Sequence, residues 1–409
     1  MDRDRAQALS LLTSEAVRSR AHVLLALGRE DRLLHFRMDL TRLEAVADLV
    51  AGTTRAAYPS LEVPLHSRWR HFEFQGVDRW AALIRGRSWD APARARAAFD
   101  LAIVSVLLDA GAGASWTYRD GATGAAVNRS EGLALATLAM FAAGAFSADP
   151  KDPLRVDAAS LRELSDDTIR RGLQISDANP LVGIEGRIEV LRRLGHLVAE
   201  DPVFAWQDSP RPGGLFDVFA AGAEDRMVRA PAILSELLLH LTPIWPSRET
   251  LARVPLGDCW QHPLLRTEDR TDGLVPLHKL SQWLVYSLIE PLQEATYVVA
   301  DIDGLTGLAE YRNGGLFVDT GVLSLRESAH AMQEHDIGSP LVVEWRALTV
   351  ALLDELAGRV RQRLSVNAAS FPLTCLLQGG TWAAGRALAH TLRPEGVSPI
   401  RVISDGTVF

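Results

Sequence analysis

Residues 91–108 read APARARAAFDLAIVSVLL, and this stretch carries the clearest indication of the fold. It is rich in alanine, a strong helix former, and its apolar residues lie on more than one side of a helix. A helix that is apolar on most sides lies inside a protein rather than on its surface. The stretch therefore predicts a buried helix over Ala91–Leu108.

The same helical spacing of apolar residues recurs along the chain, whereas strand patterns are few and short. We predict further helices at Leu9–Leu27, Leu40–Val50, Glu131–Ala143, Asp166–Leu173, Glu185–Leu194, Ala232–Leu241, Leu277–Ile289, Val342–Arg363 and Thr381–Leu392. We predict short strands at Tyr297–Ala300, Leu316–Val318 and Ile400–Ile403. Strands and helices do not alternate as a doubly wound sheet requires. The sequence therefore predicts a mainly α fold, a single large helical globule that forms one domain over residues 1–409. In that domain an N-terminal helical part, about 1–75, packs on the main body.

Composition excludes several classes of protein. The 409 residues include 43 Lys and Arg against 51 Asp and Glu, and the net charge of −8 argues against a nucleic-acid partner. Two cysteines, Cys259 and Cys375, are too few for a disulfide framework or a four-cysteine zinc site. The N-terminus shows no signal-peptide pattern, and the longest nearly apolar run, Leu133–Phe146, is too short to span a bilayer. We expect a cytoplasmic protein with no membrane partner.

Metal and serine-nucleophile motifs are absent from the sequence. Cys259 and His262 make one pair of potential zinc ligands, but no His-Glu-x-x-His motif occurs. The Gly-x-Ser-x-Gly elbow of many serine hydrolases is missing as well. We predict no catalytic metal.

Lysine is rare in this chain, which draws attention to each of its two copies, Lys151 and Lys279. Lys151 lies in a proline-flanked loop, whereas Lys279 lies in the mostly apolar strip 274–286. An ammonium group there is costly unless it is paired or used. On a helix, Lys279, Gln282 and Tyr286 share one face, which predicts polar groups that point into a pocket. The alternative is that the aliphatic part of the Lys279 side chain is buried while its ammonium group reaches water.

Residues 301–315 read DIDGLTGLAEYRNGG and concentrate charged side chains after a short strand. We expect a helix to follow that ends at the glycine pair. Such a cluster can hold a general acid or base with its orienting partners. The alternative is a helix capped by Asp301 or Asp303, with Glu310 and Arg312 in solvent. Asp301, Asp303 and Thr306 also partly resemble the diphosphate loop of phosphoribosyltransferases.

The segment Ser67–Phe72 places two arginines and a histidine around Trp69. Arg68, Arg70 and His71 suit a phosphate or a planar group. Trp116 follows a glycine-rich turn and is a candidate for lining the same pocket. The alternatives are a surface segment anchored by Trp69 and a core position for Trp116.

Four stretches of the sequence match a known family: SRWRHFE at 67–73, LDAGAG at 108–113 with WTY at 116–118, the stretch 308–323 with YRNGGL at 311–316, and SDGTVF at 404–409. They resemble the uracil-catabolism family of fungi and bacteria, whose members are the fourth protein of the URC pathway. The resemblance covers nearly the whole chain and implies a role in breaking down uracil through its ribosyl phosphate.

A second set of stretches follows a recognisable order along the chain: Trp116–Asp120, Glu131–Ala145 with Asp149-Pro150, Glu185–Gly195 and Pro276–Gln282, with Lys279 and Glu310 31 residues apart. This order distantly resembles that of the queuosine 5′-phosphate N-glycosylases, which implies a helical core like that of DNA glycosylases. In that family a lysine and an aspartate about thirty residues apart form the catalytic site. This chain has Glu in place of Asp at 310 and Asn-Gly-Gly after Tyr311-Arg312 in place of proline.

These resemblances together predict an N-glycosidase that converts a ribosylurea phosphate into urea and ribose 5-phosphate. Glu310 would stabilise the positive sugar and activate water, and Lys279 would orient the carboxylate or protonate the leaving nitrogen. No cofactor is expected because water is the second substrate, and the sequence leaves a homodimer open. Two other hypotheses are a magnesium-dependent uracil phosphoribosyltransferase and a non-catalytic pathway scaffold. The expected substrate-binding residues are Gln282, Tyr311, Arg312, Asp303, Trp116, Arg68, Arg70 and His71.

Overall fold

The computed structural model of the protein describes residues 3–113, 115–205, 209–245, 249–403 and 407. Residue contacts divide the chain into two compact units, and each unit is discontinuous in sequence. Unit one takes the described residues of Met1–His66, Arg248–Gln282 and Asp301–Ile403. Unit two takes those of Ser67–Ser247, Trp283–Ala300 and Ser404–Phe409. One domain over residues 1–409, with an N-terminal part of about 1–75, stays a prediction.

Unit one is built mainly from helices, joined by two-stranded pairs. Its longest helix, Pro340–Leu364, starts where the Ser339 side chain accepts a hydrogen bond from the Val342 amide, and it ends at left-handed Ser365. The other helices are Arg3–Ser10, Ser14–Arg29, Leu43–Ala57, Tyr311–Asp319, Leu373–Leu376, Trp382–Leu392 and residues 279–282 of Lys279–Glu294. The antiparallel pairs are Phe36–Met38 with Leu323–Leu325, Cys259–Gln261 with Leu274–Pro276, and Thr250–Leu251 with Val254–Pro255. A parallel pair joins Glu334–Asp336 to Arg401–Ile403.

Unit two surrounds the helix Ala91–Leu107, which confirms the predicted buried helix. The Asp90 side chain accepts a hydrogen bond from the Ala93 amide at its start, and residues 97–107 are all buried. The other helices are Arg79–Ile84, Arg129–Ala142, Ala158–Arg162, Asp166–Gly172, Ile184–Glu200, Leu215–Ala221, Ala230–Leu241 and residues 283–294 of Lys279–Glu294. The strand pairs are Glu73–Phe74 with Val77–Asp78, Thr117–Arg119 with Ala126–Asn128, and Met227–Arg229 with Val298–Ala300, the last of which is parallel.

The mainly α prediction is confirmed, but one predicted strand is wrong. Leu316–Val318 lies inside the helix Tyr311–Asp319, and the glycine pair Gly314 and Gly315 lies inside it as well instead of ending it. A short apolar run cannot be assigned to strand or buried helix from its sequence alone, and here the cap at Glu310 starts a helix. Across the described residues, none of the helices combines the length and apolar character needed to cross a bilayer.

Candidate active site

Unit one places the charge of Lys279 within electrostatic range of the Glu310 carboxyl. Burial raises the pKa of Glu310 to about 7, while the amide of Asn313 and the charge of Lys279 oppose that rise. The two side chains predicted from the sequence therefore interact electrostatically in the folded unit, and their catalytic role stays a prediction.

Glu310 caps the helix Tyr311–Asp319. Its Oε2 accepts a hydrogen bond from the Arg312 amide at 2.7 Å, and its Oε1 accepts one from the Asn313 amide at 2.6 Å. Two backbone donors therefore hold both carboxylate oxygens in one orientation. The alternative reading, with the cap at Asp301 or Asp303 and Glu310 in solvent, is wrong at this helix because Glu310 is both the cap and buried.

Lys279 is the first residue of the helix Lys279–Glu294. Its amide donates a hydrogen bond to Oδ2 of Asp258 at 3.0 Å. His278 precedes it in the left-handed region, with φ of 46°, and places Nε2 3.0 Å from the Leu11 carbonyl oxygen. Such a backbone conformation costs free energy in a non-glycine residue and persists only where surrounding contacts impose it. The contacts of His278 and of the Lys279 amide therefore fix the backbone at the start of this helix.

Gln282 is fully buried, and both ends of its amide are engaged by Thr306. Its Nε2 donates to the Thr306 hydroxyl at 2.5 Å, and the Thr306 amide donates to its Oε1 at 2.8 Å. Asp303 accepts hydrogen bonds from Arg361 Nη2 at 2.5 Å and from the Leu373 amide at 2.6 Å. Gln282, Thr306 and Asp303 therefore stabilise the loop that leads to Glu310, and their contact with a substrate stays a prediction.

Tyr311 and Arg312 follow Glu310 at the start of the same helix. Arg312 is buried, with its guanidinium carbon 4.6 Å from the centre of the Tyr311 ring. Its Nη1 donates a hydrogen bond to the Gly396 carbonyl oxygen at 2.8 Å. The cation–π contact holds the two side chains together. Their predicted role in binding the substrate is not tested by these contacts.

Arg68, Arg70 and His71 belong to unit two, where carboxylates balance the arginines. Arg68 is fully buried, and its Nη1 lies 2.9 Å from Asp109 Oδ1. The same nitrogen lies 3.2 Å from His71 Nδ1. Arg70 pairs with both Glu73 and Glu290. The phosphate role of these three residues stays a prediction, and it would require a phosphate to compete with these carboxylates.

Trp116 fills the interior of unit two. Its ring is fully buried, and its indole nitrogen donates to the Leu173 carbonyl oxygen at 2.9 Å. These contacts match the core alternative, and none of them supports the predicted role as a substrate ligand.

Two residues that the sequence analysis missed support the pair in unit one. Asp258 and Arg346 form a buried ion pair with contacts of 2.8 and 2.7 Å. Asp258 precedes the strand Cys259–Gln261, and Arg346 lies in the helix Pro340–Leu364. The two residues are 88 apart in sequence, so no local pattern connects them. The one general guide to such a pair is that a buried charged side chain needs a partner of opposite charge.

Cys259 and His262, the potential zinc pair, are both buried. Burial raises the pKa of the Cys259 thiol well above its usual range, and His262 Nε2 lies 3.3 Å from Glu344 Oε2. Within the described ranges, no three His, Cys, Asp or Glu side chains are grouped to hold a metal ion.

Gly314 allows the helix Tyr311–Asp319 to approach Pro340–Leu364. A Cβ on Gly314 would lie 2.8 Å from the Trp345 ring and 2.9 Å from the Thr349 hydroxyl. We expect Gly314→Ala to lower the free energy of unfolding by about 1–3 kcal/mol, measured by denaturant titration. The control Gly358→Ala, in an open helical position, should raise it by about 0.5–1 kcal/mol. Equal stability of Gly314→Ala and wild type would contradict this packing.

The fold and site define a mainly α protein in which a buried carboxyl, Glu310, feels the charge of the half-buried Lys279. The chain belongs to the family described as "protein of unknown function (DUF1688)", whose model matches residues 10–409. It is 38% identical to the protein urg3 of Schizosaccharomyces pombe over 98% of each chain. It is 36% identical to uracil catabolism protein 4 of Lachancea kluyveri over 92% of each chain.

The resemblance to the uracil-catabolism family is therefore confirmed. The resemblance to the queuosine 5′-phosphate N-glycosylases, with its DNA-glycosylase-like core, rests on the motifs alone. The motif at 404–409 lies outside the described residues except for Thr407, which is buried.

Proposed function

We propose that this protein is an N-glycosidase of uracil catabolism that hydrolyses ribosylurea 5′-phosphate to urea and ribose 5-phosphate. The name of the Lachancea kluyveri relative supports the pathway. The observation that carries the reaction is the buried Glu310 beside Lys279, with a carboxyl pKa of about 7. Buried groups with strongly shifted pKa values concentrate at functional sites.

The proposed reaction breaks the bond between C1′ and the urea nitrogen and forms a bond between C1′ and a water oxygen. The sugar passes through a state with oxocarbenium character, as in the hydrolysis of glycosides. The Glu310 carboxylate stabilises this positive charge and accepts a proton from the attacking water. The Lys279 ammonium hydrogen-bonds the leaving nitrogen and supplies the proton that urea gains. A proton moves from Glu310 to Lys279 through solvent to complete the cycle.

The test is a direct assay of the purified full chain. Ribosylurea 5′-phosphate and a panel of nucleoside 5′-phosphates are incubated with the protein, with and without chelator, and free ribose 5-phosphate is measured. We expect chelator-resistant release that is fastest with ribosylurea 5′-phosphate. Release from none of the substrates would reject the glycosidase. Magnesium-dependent formation of diphosphate from a phosphoribosyl diphosphate would instead support the transferase.

The pH dependence of the rate reports the ionisation of Glu310. Because the ionised carboxylate is the active form, we expect kcat/KM to rise with pH and to reach half its maximum at about pH 7. The measurement is kcat/KM between pH 5 and 9 in buffers of constant ionic strength. A rate that falls as pH rises through 7 would assign Glu310 the opposite role, that of the acid that protonates the leaving group.

A further inference from the structure

We infer that the buried Asp258–Arg346 ion pair is a positioning device that sets the geometry of Lys279 against Glu310. The pair contacts the backbone that leads to each of the two residues. The kinetic part of this inference rests on the proposed function, whereas its geometric part does not.

Asp258 holds the segment that carries Lys279. Its Oδ2 accepts a hydrogen bond from the Lys279 amide at 3.0 Å. Its backbone carbonyl accepts hydrogen bonds from the Leu277 amide at 2.9 Å and the His278 amide at 3.2 Å. One residue therefore receives three successive amides at the start of the helix and leaves this turn little freedom.

Arg346 connects that turn to the segment that carries Glu310. Its Nη1 and Nη2 bind the two Asp258 oxygens at 2.8 and 2.7 Å, and its Nε donates to the Ala309 carbonyl oxygen at 3.4 Å. Ala309 directly precedes Glu310. A single planar guanidinium thus spans the two segments. Trp260 Nε1, at 2.7 Å from Asp258 Oδ1, orients the carboxylate further.

The cost of burying this pair indicates a role other than stability. Burial raises the pKa of Asp258, but the Arg346 guanidinium outweighs burial and holds that pKa well below its usual range. Taking both charges out of water costs several kcal/mol per ion, and apolar side chains often replace such pairs without loss of stability. A rigid, bidentate pair nevertheless fixes direction as well as distance, which apolar packing does not.

Three variants separate positioning from stability. Arg346→Lys keeps the positive charge but replaces the planar guanidinium, which binds both Asp258 oxygens, with a compact ammonium. We therefore expect kcat to fall at least about tenfold. The double variant Arg346→Met/Asp258→Asn leaves no buried charge unpaired, and we expect kcat to fall about 100-fold with KM changed by less than about threefold. The matched control is Arg211→Met/Asp100→Asn in unit two. That pair is also buried, with Arg211 Nε at 2.9 Å from Asp100, but Asp100 holds the Val156 and Gly213 amides.

The two lysines allow a second readout that needs no substrate. Brief labelling with acetic anhydride, followed by peptide mass spectrometry, measures the reactivity of Lys279 relative to exposed Lys151 in the same molecule. We expect the Lys279/Lys151 ratio to rise at least about threefold in the Arg346 variants, because release of the helix start exposes the amine, and to stay unchanged in the control.

The outcomes distinguish the positioning role from the proposed reaction. A loss of kcat confined to the Arg346 variants, together with the changed labelling ratio, supports positioning. Wild-type kcat and labelling ratio in a folded Arg346→Lys or double variant, or equal losses in the control, would overturn it. If wild-type protein releases no ribose 5-phosphate, the glycosidase fails, and the labelling ratio alone decides the inference.

Discussion

Glu310→Gln is expected to reduce kcat for release of ribose 5-phosphate by about 1,000-fold. The variant keeps the size of the side chain and one acceptor for the helix amides. It loses the negative charge that stabilises the sugar cation and the basic site that accepts a proton from water. The measurement is the steady-state rate of ribose 5-phosphate release at saturating substrate and pH 8, where wild-type Glu310 is mostly ionised.

The matched control is Glu344→Gln in the same unit. Glu344 is fully buried and accepts hydrogen bonds from the amides of Leu34, His35 and Phe36 at 3.0, 2.8 and 3.1 Å. It is another glutamate that holds backbone amides, so its variant reports the cost of losing such an acceptor. We expect lower stability with kcat within about fivefold of wild type. If Glu310→Gln retains full activity, Glu310 has no part in the reaction.

Glu310 also affects stability in a direction that can be worked out from its pKa. The pKa of about 7 in the folded protein lies above the ordinary value of 4.5, so between these values the folded state binds more protons than the unfolded state. The free energy of unfolding therefore falls as pH rises from about 4.5 to about 7. The Glu310→Gln variant lacks this contribution, so the free energy of unfolding of wild type minus that of the variant should fall as pH rises over that window.

Lys279→Met is expected to lower kcat about 100-fold and to shift the pH profile of the remaining activity. The ammonium opposes the burial effect on Glu310, so its removal raises the pKa of the carboxyl above about 7. The half-maximal rate should therefore move to higher pH. The measurements are kcat, for the size of the loss, and kcat/KM from pH 6 to 9.5, for the midpoint, in the variant and in wild type.

Two further substitutions interpret that result. Lys151→Met removes the other lysine, which is exposed, and should leave both the rate and the pH profile unchanged. Lys279→Arg retains a positive charge but not a compact ammonium, so we expect the pH midpoint to stay near wild type while kcat remains low. A Lys279→Met profile with the wild-type midpoint would show that Lys279 does not act on Glu310.

Predictions that rest on local pattern succeeded to different degrees. The helix over Ala91–Leu108 follows from a long apolar, alanine-rich run, and the structure has it at Ala91–Leu107. The strand predicted at Leu316–Val318 failed because three apolar residues fit either structure, and the cap that starts the helix lies at Glu310. The rarity of lysine singled out Lys279 as a candidate functional residue. In the structure, its charge lowers the pKa of Glu310 relative to the effect of burial alone.

By itself, the sequence determined the mainly α class and the helix that fills unit two, because periodicity and composition are local properties. The choice of Lys279 and Glu310 as a pair came from a resemblance to a known family, and its catalytic role stays a prediction. Only the tertiary structure decided that Glu310 is a buried cap with a pKa of about 7. It alone brought Arg346 to Asp258 across 88 residues. The physical reason is that burial and charge pairing depend on neighbours contributed by distant segments, and those neighbours exist only once the chain has folded.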